Sequence, residues 1–131
     1  NVIMELTETY LAQEDGSIQE AISELKRIGI QLAMDDFGTG YSSLFSLKNM
    51  PVNVVKIDRG FVKEITTDMF NATFIRTITQ LCHEVGKTVC LEGVESAEEY
   101  NVVKYSGIEL IQGYYFGKPM SAADFEEKYF K

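Results

Sequence analysis

Apolar residues fall along this chain in short runs separated by stretches of helical periodicity. The runs within Asn1 to Leu6, Ile30 to Met34, Val52 to Ile57, Thr88 to Leu91 and Ile108 to Ile111 are brief and rich in β-branched residues, which predicts five strands. After the first of them, Ile18, Ala21, Ile22, Leu25 and Ile28 recur at helical spacing behind the capping box Ser17-Ile18-Gln19-Glu20, and Gly29 ends the pattern. Tyr41 to Lys48 predicts a short helix that must stop before Pro51, since the residue preceding proline disfavours helical geometry. Phe61, Val62 and Ile65 predict one more turn. A longer helix, capped by Thr67 or Asp68, carries Ala72, Ile75, Ile78, Leu81, Cys82 and Val85 on one stripe and ends at Gly86. Ser96-Ala97-Glu98-Glu99 is a second capping box, opening a helix that runs towards Lys104. Ser121, with Asp124 three residues on, opens the last helix, which Phe125 and Tyr129 are expected to pack down.

This alternation predicts an α/β fold, because strands separated by helical crossovers lie parallel with helices covering the sheet. In such folds chemistry gathers at the carboxyl ends of the strands, whether the sheet closes or stays open. Glu5, Asp35 with Asp36, Lys56, Glu92 and Gln112 all stand at or near that end of successive runs. Any one of them alone is more simply a solvated surface residue; five runs delivering acids, a lysine and an amide to one rim predict a shared site. Asp35 and Asp36 pose a particular problem. Strict strand geometry sends neighbours to opposite faces, so a joint role requires the backbone to turn, and Gly38 and Gly40 offer that freedom.

Composition narrows the function. With 131 residues, 45% hydrophobic and 24% charged, the chain is long enough for one core and has no disordered signature. No apolar run approaches the roughly 18 residues of a membrane span, and no basic-then-apolar leader is visible, so a cytoplasmic chain without membrane contact is expected. A net charge of -8 leaves no basic stripe for polymeric nucleic acid, although a small phosphorylated ligand screened by metal ions remains compatible. Cys82 and Cys90 lack metal-ligand spacing and are expected to be buried free thiols. His83 sits in the long helical pattern, away from the rim, as a surface or boundary residue. Converging carboxylates ionise together only with counter-charge, and an oxygen-rich cluster suits Mg²⁺ or Mn²⁺. A pair of such ions can activate water and clamp a phosphodiester, with Lys56 stabilising the developing charge.

At these residues the sequence resembles the EAL family of cyclic di-GMP phosphodiesterases. Glu5-Leu6-Thr7-Glu8, Asp35-Asp36-Phe37-Gly38-Thr39-Gly40-Tyr41-Ser42-Ser43-Leu44, Lys56-Ile57-Asp58, Glu92-Gly93-Val94-Glu95 and Gln112-Gly113-Tyr114-Tyr115-Phe116-Gly117-Lys118-Pro119 look like that family's blocks, in the family's order. The resemblance implies a TIM-barrel-like domain that hydrolyses cyclic di-GMP to linear pGpG with two Mg²⁺ or Mn²⁺ ions. By position, Glu5 would bind the first metal, Asp35 would bridge both, and Asp36 and Glu92 would hold the second. Lys56 and Gln112 would contact the attacking water or the substrate. Glu8 and Thr39 would anchor the loop that follows Asp36, which in this family couples dimerisation to metal binding, while Asp58 and Glu95 match supporting positions.

The family's Glu-x-Leu segment and a following asparagine, both ligands of the first metal, are absent. Residues 1–131 therefore resemble the C-terminal part of a single EAL domain, an incomplete barrel of about five parallel strands lacking its front half. Such a piece is expected to be inactive alone and to pair with a second copy or with the missing half-barrel, because open sheet edges invite association. Fusion to sensory or GGDEF domains in the full protein is the corresponding expectation. A non-catalytic cyclic di-GMP receptor or partner-binding module is the alternative, since a barrel can keep a pocket and lose a reaction.

Overall fold

The predicted alternation is what the computed structural model shows, over the residues it describes: 2–11, 16–40, 44 and 46–130. Five strands, β1 (Ile3–Thr7), β2 (Gln31–Phe37), β3 (Val54–Ile57), β4 (Thr88–Glu92) and β5 (Leu110–Gln112), form one sheet in chain order with every neighbouring pair parallel. Between and after them lie α1 (Glu8–Leu11), α2 (Gly16–Arg27), α3 (Met69–Glu84), α4 (Ala97–Val103) and α5 (Ala122–Tyr129). Parallel strands in sequential order, each pair linked by a crossover, are the arrangement of an incomplete TIM-barrel-like sheet. No helix among the described residues is long and apolar enough to cross a membrane.

The period of two along each strand divides the sheet into two faces with different work. Leu32, Met34, Val55, Ile57, Val89 and Leu91 face the helices, where Ile22, Ile75, Ile78, Cys82 and Val103 complete the main core. The other face carries Glu5, Ala33, Asp35, Val54, Lys56, Cys90, Glu92, Leu110 and Gln112, with Ala33, Val54 and Cys90 forming a separate small apolar cluster. The candidate chemistry therefore lies on the face turned away from the helices. Both cysteines are free and buried, as expected.

Local chemistry fixes most element ends. Asp68 caps α3 by accepting from the Phe70 amide, and Ser96 and Glu99 form the capping box of α4 reciprocally. Ser121 accepts from the Asp124 amide and opens α5. Three expectations are corrected. Helix α2 begins at Gly16, so Ser17 lies inside its first turn rather than ahead of it. The short helix expected over Tyr41 to Lys48 is a 3-10 turn at Ser46–Lys48, with residues 41–43 and 45 outside the described residues. Phe125 and Tyr129 do not bury α5: no residue of it is buried, and the two rings instead pack on each other, Phe125 also meeting Phe130. The reason is topological, since β5 is the last strand of the described sheet and offers α5 no next strand to lie across.

Strands β3 and β5 start two residues later than the apolar pattern predicts, and side chains bond the backbone beside both starts. Before β3, the buried Lys87 ammonium donates to the carbonyls of Met50 (2.8 Å) and Val52 (3.0 Å), and the Asn53 side chain accepts from the Leu32 amide. Before β5, Glu109 accepts from the amide of the fully buried Val89 (2.9 Å) and pairs with His83 on α3 (2.7 Å). Burial works against ionisation of Glu109, but the Val89 amide, its own backbone amide and His83 outweigh it and hold the carboxyl below its ordinary value of 4.5. A depressed folded value means that this stabilisation is present above pH 4.5 and disappears as pH falls through the folded value. Glu109→Ala is therefore expected to cost about 1 kcal/mol at pH 7, a figure reduced for solvent screening of the half-exposed side chain. In urea unfolding the gap from the parent should close in strong acid; a gap independent of pH would refute the assignment.

Candidate active site

The site begins with an irregularity in β2. Met34 pairs with Val55 and Phe37 with Ile57, so β2 takes three steps where β3 takes two, and one extra residue is accommodated between them. Asp36 takes up the bend itself, with φ at 58°, and Gly38 follows at 95°. The sequence placed this freedom at Gly38 and Gly40; the structure places it at Asp36 and Gly38. An aspartate in the left-handed region costs on the order of 1–3 kcal/mol and persists where neighbours hold it. Here the Thr39 amide and hydroxyl both donate to the Asp36 carbonyl, at 3.2 and 2.8 Å, and the Asp36 amide donates to Asp35 Oδ1 at 3.1 Å. The bulge lets both carboxylates serve one site.

Lys56 stands at the centre. Its Cα lies level with Cys90, two residues short of Glu92, so only a long side chain can bring its charge to the strand ends. Nζ reaches Glu92 Oε1 at 2.7 Å, Glu5 Oε1 at 2.8 Å and Asp35 Oδ1 at 3.1 Å, with the lysine side chain 7% exposed. Burial pulls the ammonium towards neutrality, but the bonds to Glu5, Glu92 and Asp35 overcome it and raise its affinity for the proton well above the ordinary 10.5. The group is a fixed cation and not a general base. Beneath it, burial pushes the Cys90 thiol up to about 11 against the opposing charge of Lys56, which leaves it protonated and a poor nucleophile.

Asp35, Asp36 and Glu92 each offer a carboxylate oxygen, and these three atoms lie within 4.8 Å of one another. Hard oxygen donors in such a group fit Mg²⁺ or Mn²⁺. Glu5 reaches Lys56 and lies outside that three-residue group. Gln112 shares the face, its Cα paired with Glu92, and lines an open groove of about 650 Å³ with Cys90, Leu110, Tyr114 and Phe116.

The remaining predicted residues separate. Asp58 caps a 3-10 turn at Arg59–Phe61 by accepting from the Gly60 amide at 2.8 Å. Glu95 is exposed and lines a small cleft with Arg59, Lys63 and Glu99, its amide held by the Glu99 carboxylate. Glu8 opens α1, and its side chain lies outside the described residues. His83, bound to Glu109, belongs to the opposite end of the sheet, as expected.

Two glycines explain why the blocks around Glu92 and Gln112 read as they do. Gly93, at φ 80°, abuts Arg59, and a Cβ at Gly113 would collide with the Val94 backbone. Across that contact the Val94 amide donates to the Gln112 carbonyl (3.2 Å) and the Tyr115 amide to the Val94 carbonyl (3.1 Å). Gly113 thus locks the loop after β5 against the loop after β4.

The chain resembles known proteins in both sequence and fold. Over 126 residues it is 38% identical to the cyclic di-GMP phosphodiesterase PdeR of Escherichia coli, an alignment covering 96% of this chain and 19% of that protein. Its fold matches a PaMucR phosphodiesterase solved with c-di-GMP, with TM-score 0.84 and 33% identity over 94% of this chain and 50% of that one. It also matches Klebsiella pneumoniae BlrP1, solved with manganese and cyclic di-GMP, with TM-score 0.82 and 33% identity over 90% of this chain and 30% of that one. The chain thus spans half or less of each of these proteins. The EAL domain family model matches residues 1–119, and the chain belongs to that family.

Proposed function

We propose that residues 1–131 are the C-terminal part of a single EAL domain that hydrolyses cyclic di-GMP to linear pGpG with divalent metal ions. The observation that carries this reading is the three-carboxylate group of Asp35, Asp36 and Glu92 gathered beside the buried Lys56 ammonium, in a chain of this family. Asp35, Asp36 and Glu92 would hold the second ion, and Glu5 with Asp35 would contribute to the first. When bound, the ions supply positive charge to the phosphodiester and lower the pKa of water. The chain's own residues do the rest. Lys56, kept protonated, neutralises the carboxylates and presents an ammonium to charge that develops on phosphoryl oxygen. The bulge at Asp36 holds two neighbouring carboxylates to one side, and Thr39 anchors that bend. Gln112 orients water or substrate from the adjoining strand, and Glu8 serves as a second loop anchor.

Because only Glu5 and Asp35 remain for the first ion, the chain alone should bind metal weakly and turn over little substrate. Its open edges, β1 and β5, would pair with the missing half-barrel or with a second copy. The decisive experiment mixes the chain with the separately expressed front half of its domain and follows pGpG formation, with sedimentation of the same mixture. Turnover is expected only in the mixture, and Asp35→Asn should reduce it at least about 10³-fold. Tight cyclic di-GMP binding without turnover in the reconstituted domain would instead establish a receptor.

A further inference from the structure

The bend that carries Asp35 and Asp36 rests on something outside its own hydrogen bonds. A Cβ built on Gly38 would stand 2.6 Å from Phe61 Cε2, 2.9 Å from Phe61 Cζ and 3.7 Å from Phe74 Cζ, so the loop backbone lies directly on the ends of two rings. Those rings are stacked, with centroids 4.2 Å apart and planes 7° from parallel. Phe70 extends the stack at 6.3 Å from Phe74. Such a pair is a stiff, flat support, because each ring restricts the other's rotamer.

Its two roots lie on different elements. Phe61 ends the 3-10 turn that Asp58 caps, a few residues after Lys56 on the same run of chain, and Phe74 lies in the second turn of α3. Both are only partly buried and flank the main core rather than fill it. Lys56 and Phe61 therefore act on the same loop from one segment, the first through the Asp35 carboxylate and the second through the Gly38 backbone. The hydrogen bonds from Thr39 shape the bend, but they are internal to it and cannot fix its distance from Glu92, which stands on β4.

We infer that the Phe61–Phe74 stack is a positioning platform. By bearing on Gly38 it sets how far the Asp35 and Asp36 carboxylates stand from Glu92, and so sets the affinity of the three for a divalent cation. The inference rests on the metal-dependent reading above and goes beyond it in assigning that affinity to two aromatic residues that cannot themselves ligate a cation.

The test uses this chain, Mn²⁺ alone as the probe, and two readouts: Mn²⁺ affinity by electron paramagnetic resonance, and hydrogen exchange of the Thr39 amide without metal. Phe61→Leu, which removes the support, should weaken Mn²⁺ binding about tenfold or more and speed Thr39 exchange. Phe61→Tyr keeps the stack and the core contacts but adds an oxygen at Cζ, on the ring edge formed with Cε2 that faces Gly38; it should weaken binding with an unchanged melting temperature. Ile65→Val, a core change in the same segment, should lower the melting temperature and leave Mn²⁺ affinity and Thr39 exchange as they are. Parental affinity and exchange in both Phe61 variants would overturn the platform, and if Phe61→Leu fails to fold, Phe61→Tyr decides alone. If the parent chain binds no Mn²⁺, it is the metal-dependent reading that fails, and Thr39 exchange still decides whether the stack holds the loop.

Discussion

Lys56→Met is expected to abolish turnover in the reconstituted domain and to make the chain's stability depend on divalent cations. Methionine fills much of the same space, so the change isolates the charge. Without the ammonium, Glu5, Asp35 and Glu92 face one another uncompensated. Breaking a fully buried ion pair costs about 3–5 kcal/mol. These acids are partly exposed, at 50%, 26% and 20%, and solvent screening brings the expected loss to about 2 kcal/mol. Millimolar Mn²⁺ should recover part of it, because a ligand that binds only the folded state stabilises that state.

The pH dependence has a definite sign. The folded affinity of Lys56 for its proton is raised, so its contribution is fully present below the ordinary 10.5 and is lost only as pH rises through the higher folded value. Urea midpoints of parent and variant should thus differ by a constant amount between about pH 7 and 10. Equal midpoints with and without metal would show that the carboxylates coexist without the ammonium.

Gly113→Ala should be strongly destabilising, because a Cβ there has less room than at any other described glycine whose surroundings are known. The added carbon would meet the carbonyl, amide nitrogen and carbonyl carbon of Val94, which are backbone and cannot swing aside. Relief requires the two loops to part, which breaks the Val94–Gln112 and Tyr115–Val94 hydrogen bonds and uncovers the fully buried Val94 side chain. Overpacking and two lost bonds together amount to about 3 kcal/mol or more, roughly 10 °C in melting temperature. The same parting moves Gln112 away from Glu92, so Mn²⁺ affinity and substrate affinity should separate: the carboxylate group survives while the groove beside it deforms. Calorimetry returning a melting temperature close to the parent's would show that the loops tolerate the shift.

What the amino-acid sequence determined by itself is whatever depends on neighbours a few residues apart. Short apolar runs marked the strands, and the pleat of a strand then puts Leu32, Met34, Val89 and Leu91 on one face and Asp35, Lys56 and Glu92 on the other. Asp68, Ser96 and Ser121 were legible as caps because each bonds an amide two or three residues onward. The rim of acids around a lysine was legible too, since it follows from the carboxyl ends of parallel strands.

Only the tertiary structure decided how those groups meet. Two adjacent aspartates give no sign of which residue will bend; that depends on the register of β2 against β3, and the strain falls on Asp36 where glycine looked the better candidate. Nothing near Gly38 announces Phe61 and Phe74, nothing near Gly113 announces Val94, and Lys87 has no sequence neighbour that marks it for Met50 and Val52. The last helix had the right apolar spacing and still found no sheet to cover. Periodicity fixes the direction in which a side chain points, whereas the partner it finds there is set by chain segments far away in sequence, through close packing that no local pattern encodes.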